Sequence, residues 1–199
     1  MSEVASTHEH VAAETGSMQG VDNRKFGVWL FIASEVMFFM ALIGMFLAYR
    51  GLPGWADFHH LLDVPLTAIN TFILLTSSLF VVLAVNAAQQ DNRRGLSLWL
   101  LLTAVFGAVF VGIQAFEYGK LFSEGASLSA DVFGSVFFTT TGFHGLHVII
   151  GILWCLAALL RATRGGFSGG RYMAVELFGL YWHFVDVVWI ILFMLIYLI

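Results

Sequence analysis

Residues 174–199 read AVELFGLYWHFVDVVWIILFMLIYLI. Apart from Glu176, His183 and Asp186 the stretch is apolar or aromatic, and it contains no proline. It is long enough to cross the hydrocarbon of a bilayer, which takes about 20 helical residues at about 1.5 Å each. Four stretches of the same kind precede it, at 26–49, 65–88, 96–119 and 132–160. The connectors carry turn and charge signals: Pro53 and Gly54, then Asp91, Asn92, Arg93 and Arg94, then residues 120–131, then Gly165, Gly166, Gly169 and Gly170. No water inside a bilayer satisfies backbone amides, so each span must be helical. A barrel needs alternating segments of about ten residues, which this sequence lacks. The expectation is an all-α polytopic membrane protein, a bundle of five transmembrane helices over 26–199.

Composition agrees. Of 199 residues, 59% are apolar and only 11% charged, with a mean hydropathy of +0.87. A soluble domain carries about 25% charged residues, so the bilayer has to be part of the solvent. The formal charge of −4, without a basic run, argues against nucleic acid as a partner. The single cysteine, Cys155, lies in an apolar run and reads as a small buried hydrophobe. Residues 1–25 are polar and include His8 and His10, with no hydrophobic core of a signal peptide; they read as an uncleaved, largely disordered tail. Arg24, Lys25, Arg93, Arg94, Arg161, Arg164 and Arg171 fall on the tail side of the membrane, and only Arg50 and Lys120 on the other. The positive-inside rule then places the N-terminus in the cytoplasm and the C-terminus in the periplasm. Five spans also leave no two-fold internal repeat of the kind secondary transporters use.

Small residues suggest contact faces. Ala104, Ala108, Gly112, Ala115 and Gly119 line one side of the third span, and Ala41, Gly44 and Ala48 one side of the first, where a neighbouring backbone could approach closely. On the opposite face of the first span, at 100° per residue, Glu35 lies among Phe31, Phe38, Phe39, Leu42 and Phe46, an aromatic and nearly apolar setting.

Ionisable groups within spans demand a reason, since each costs on the order of 2.5–3.5 kcal/mol when charged at a helix centre. They are Glu35, Glu117, His144, His147, His183 and Asp186, with Glu176 nearer an edge. His144 and His147 are neighbours on one helix face, and His183 and Asp186 repeat the spacing. Three readings compete: metal or haem ligation by imidazoles and carboxylates from facing helices; a proton or ion path built from the acids; and mutual pairing that fixes helix order. Spacing alone favours pairing.

Four motifs go further. Residues 29–39 (WLFIASEVMFF), 114–118 (QAFEY), 134–151 (GSVFFTTTGFHGLHVIIG) and 181–189 (YWHFVDVVW) come from four different spans. In wording and order they closely resemble subunit III of the haem–copper terminal oxidases, and the resemblance covers essentially everything from Phe26 to Ile199. It implies a non-catalytic subunit of a proton-pumping oxidase that reduces oxygen to water in a bacterial inner membrane. It implies no haem or metal in this chain, those belonging to subunits I and II. By the same resemblance the chain packs on subunit I beside subunit II, binds phospholipid, supports proton uptake, protects the oxygen-reducing centre, and has other respiratory complexes as further partners. Glu35 matches the family's membrane-buried glutamate. Complementary chemistry suggests that it hydrogen-bonds His144 or His147, while Glu117, Glu176, His183 and Asp186 join an interhelical polar network. The long members have seven spans and this chain matches the five-span form, which serves cytochrome c and quinol oxidases alike. The wording around Glu35 and Glu117 is closer to the cytochrome c type. A quinol oxidase subunit, a stand-alone haem or metal enzyme and a proton channel are the alternatives.

Overall fold

The computed structural model describes residues 23–51, 55–125, 132–164, 166–167 and 172–199. The tail up to residue 22 with His8 and His10, Pro53 and Gly54, Gly165, Gly169, Gly170 and Arg171 lie outside the described residues. The helices are α1 (Asn23–Arg50), the short α2 (Trp55–His59), α3 (Val64–Gln89), α4 (Arg93–Ser123), α5 (Val132–Thr163) and α6 (Met173–Phe193), which continues as a π-helical turn (Met194–Leu198). Five are long and apolar enough to cross a membrane: α1, α3, α4, α5, and α6 with its π turn. No strand occurs among the described residues.

Several helices outrun the apolar stretches. Hydropathy marks only the hydrocarbon segment, whereas the hydrogen-bond ladder continues until something caps it. α3 starts at Asp63, whose Oδ1 accepts from the Leu66 amide at 3.2 Å, with Pro65 in the first turn. α4 starts at Asn92, whose Oδ1 accepts from the Gly95 amide at 3.0 Å. Between them Asp91 takes a left-handed φ of 53°, which its short polar side chain tolerates. That tight turn makes α3 and α4 antiparallel neighbours.

By internal contacts the chain divides into Met1–Met37 and Phe38–Ile199. The described part of the first unit is the opening of α1, with Ile32 buried and Glu35 half-buried. In the second unit α3, α4, α5 and α6 form a ring, α3 and α5 each packing on both α4 and α6. The end of α1 joins through aromatic rings: Phe46 meets Trp55 edge-on at 5.1 Å, and Phe39 meets His147 at 5.0 Å.

At the centre of the ring lies Trp182, fully buried. A Cβ at Gly107 on α4 or at Gly151 on α5 would come within 2.9 or 2.6 Å of the indole, so both helices can approach α6 only as glycine. Within this chain the expected small-residue faces are not the ones that meet other helices. Of the five stripe residues on α4 only Ala104 is buried; Ala108, Gly112, Ala115 and Gly119 are exposed, as are Ala41, Gly44 and Ala48 on α1. α4 buries instead the face carrying Leu100, Gly107, Phe110, Gln114 and Glu117, because the space at the ring centre is filled by an indole rather than by a second backbone. Cys155 is buried, its Sγ 3.2 Å from the Leu100 carbonyl oxygen.

Candidate functional site

One polar cluster closes the end of the bundle where α3 begins and α4 ends. Gln114, Glu117 and Leu121 share the buried face of α4 at helical spacing. The Glu117 carboxylate accepts from Thr67 Oγ1 on Oε1 at 3.0 Å, and on Oε2 from Gln114 Nε2 at 3.1 Å and the Tyr197 hydroxyl at 3.0 Å. Thr67 has one proton to give and also lies 3.0 Å from the Asp63 carbonyl oxygen, so the two acceptors share it. Tyr197 reaches Glu117 from the π turn, whose wider winding buries both Ile196 and Tyr197. Its carbonyl oxygen accepts from His59 Nε2 at 3.2 Å, and the Arg50 guanidinium donates to the Ile199 carbonyl. Neutral donors thus do for Glu117 what water does outside the bilayer.

A second layer crosses the middle of the ring. Trp182, Asp186 and Trp189 lie on one face of α6, spaced by four and three residues. Trp182 Nε1 donates to Ser77 Oγ and Trp189 Nε1 to Thr71 Oγ1, both at 2.9 Å, while Asn70 Nδ2 donates to the Phe110 carbonyl at 3.1 Å. His144 donates from Nε2 to the Val185 carbonyl at 3.2 Å and stacks on Trp189 at 4.8 Å between ring centres. His147 turns Nδ1 to the Phe143 carbonyl of its own helix at 2.7 Å, and its own carbonyl accepts from the Tyr181 hydroxyl at 2.9 Å. His183 Nδ1 lies 2.5 Å from Ser78 Oγ.

Asp186 differs from all of these. It is 3% exposed, and neither carboxylate oxygen has a hydrogen-bond partner among the described residues. Glu176, half-buried at the start of α6, lines a groove of about 290 Å³ with His183. A groove of about 340 Å³ runs between α4 and α5 past the exposed Ala115. Glu35 sits in the other unit, within α1.

Within the second unit the structure does not gather the sequence-selected residues into one site. Glu117 anchors one cluster, His144, His147, His183 and Asp186 belong to the middle layer, and Glu176 stands at a groove mouth. The described residues bring no three His, Cys, Asp or Glu side chains into a group able to hold a metal ion. Sequence reasoning missed the partners Thr67, Asn70, Thr71, Ser77 and Ser78. They recur along α3 at offsets of three, four, ten and eleven, a one-face pattern that periodicity could have found.

Comparison with known proteins agrees with the motifs. The family model described as cytochrome c oxidase subunit III matches residues 6–199. The chain is 40% identical to the cytochrome c oxidase subunit 3 of Corynebacterium diphtheriae, covering 87% of this chain and 86% of that one. It is also 40% identical to that of Thermostichus vulcanus, over 89% and 88%. With the quinol oxidase subunit 3 of Bacillus spizizenii it shares 36% identity over 86% and 85%. Five apolar helices, the motifs on four of them and this coverage together establish that the chain belongs to the subunit III family of the haem–copper oxidases.

Proposed function

We propose that this subunit is the pigment-free partner in its oxidase: it packs on the haem–copper subunit I beside subunit II, retains phospholipid, and supports proton uptake without reducing oxygen itself. The observation that carries the reading is how the ring uses its polar side chains. Glu117 is satisfied by Thr67, Gln114 and Tyr197, and the imidazoles of His144, His147 and His183 each commit a nitrogen to a carbonyl or a serine. Such bonds fix helix order, which is what a subunit acting by shape requires. The arginines at the α3–α4 turn and at the end of α5 support a cytoplasmic location for that end in a bacterial inner membrane. The names of the 40% identical relatives favour cytochrome c over quinol as the electron donor of the complex.

The test is extraction of the tagged chain in a mild detergent. A larger haem-bearing polypeptide is expected to come with it, and the complex should oxidise reduced cytochrome c faster than quinol. After dissociation, the chain itself should show no visible absorbance and no bound metal. Stoichiometric iron or copper staying with the separated chain would overturn the proposal.

A further inference from the structure

Asp186 and Ser78 stand near the midpoints of two helices that are each 26 residues long, so the unpartnered carboxylate lies at the depth where water is scarcest. A carboxylate held there without donors is costly, and such groups mark ion or proton pathways. A route leads to it. The groove between α3 and α6 is walled by Val82 and Val85 and carries Asn86, Gln89, Glu176 and His183, with exposed Asn86 and Gln89 toward the end where α3 finishes and α6 begins. Its volume of about 290 Å³ is large enough to admit water. At its inner end His183 places Nδ1 on Ser78 and leaves Nε2 as the ring nitrogen for the groove. Asp186 follows His183 by three residues on α6, so the serine that holds the imidazole stands on the side of the helix where the carboxyl lies.

We propose that this chain carries a proton-exchange site of its own: the Asp186 carboxyl, loaded and unloaded from one side of the membrane through the α3–α6 groove and the His183–Ser78 pair. In loading, a hydronium ion in the groove gives its proton to His183 Nε2, Nδ1 passes its proton to Ser78 Oγ, and Ser78, rotating its hydroxyl from the imidazole to the carboxylate, gives its own proton to an Asp186 oxygen. One proton leaves water and one O–H bond forms on the carboxylate, and the imidazole ends with its proton on Nε2. Unloading runs the same chain backwards and restores the first tautomer. Of the titratable groups in this layer, His144 on α5 is bonded to the Val185 carbonyl and His147 to the Phe143 carbonyl, and Glu176 stands at the groove mouth. The proposal goes beyond the accessory role above and does not depend on which electron donor the complex uses.

The experiment is infrared spectroscopy of the intact oxidase complex, transferred from H₂O to D₂O across a range of pH. A protonated carboxyl band is expected in the wild type that D186N lacks and that shifts on exchange. S78A keeps the band and slows its exchange, and V82W, which fills the groove without touching the relay, slows it too. Should D186N fail to assemble, D186E assigns the band by moving it. A D186N spectrum identical to wild type at every pH, or exchange equally fast in S78A and V82W, would overturn the proposal. Haem absorbance and subunit content, read on the same samples, report separately on the accessory role.

Discussion

Trp182 lies so close to Gly151 that a Cβ on that glycine would meet Cζ3 of the indole at 2.6 Å. The indole cannot retreat: its Nε1 is bonded to Ser77 on α3, and its far edge faces Gly107 on α4, where a Cβ would come within 2.9 Å. One side chain of α6 therefore sets its distance to α3, α4 and α5 together.

Replacing Gly151 with valine is expected to overpack this centre and destabilise the subunit by about 1–3 kcal/mol. Thermal unfolding of the purified complex measures it. Gly145, on the same helix, has open space where a Cβ would stand, so G145A supplies a control that should change little. Equal stability of G151V and G145A would contradict the role assigned to the indole.

The contrast also shows what the sequence could reveal. Five spans were legible because each apolar run exceeds the hydrocarbon thickness and the bilayer permits only helices. Which face of α4 turns inward was not, because an alanine and glycine stripe and a lone Gly107 both permit close approach, and the choice depends on Trp182, 75 positions away. Glu117 and His144 stood out as ionisable residues, but their partners Thr67, Tyr197 and the Val185 carbonyl are neutral groups common in any membrane helix. The π turn that brings Tyr197 under Glu117 leaves no mark in hydropathy.

Tyr197→Phe removes one of three donors from Glu117 and should cost between about 0.6 and about 1.7 kcal/mol, the mean and the maximum for interhelical hydrogen bonds in membranes. Glu117→Ala strands Thr67, Gln114 and Tyr197 at once and should cost more. In a double-mutant cycle the two losses should be less than additive, because Y197F has nothing left to remove once the carboxylate is gone. Additive losses would show that the hydroxyl stabilises the fold by some other contact.

Glu35→Ala is expected to leave the haem spectrum of the complex unchanged while lowering the amount of lipid or of subunit III that survives detergent purification. Absorbance spectroscopy with lipid analysis and quantification of the chain reads both. A lost haem signal would give Glu35 a part in the redox centre that the accessory role denies it.

Asp63 serves two functions that substitutions can separate. Its Oδ1 caps α3 through the Leu66 amide, and its Oδ2 lies 3.3 Å from Lys120 Nζ on α4. The ion pair is open to solvent, with side chains 33% and 41% exposed, so water and salt screen it. Lys120→Ala should therefore cost about 0–1 kcal/mol, and less at high salt. Asp63→Ala loses the cap as well, worth about 0.5–2 kcal/mol whatever the salt. Asp63→Asn keeps an oxygen for the Leu66 amide and drops the charge, so its stability should track K120A rather than D63A. If D63N proves as unstable as D63A, then charge, through Lys120 or the dipole of α3, holds this helix end in place of the cap.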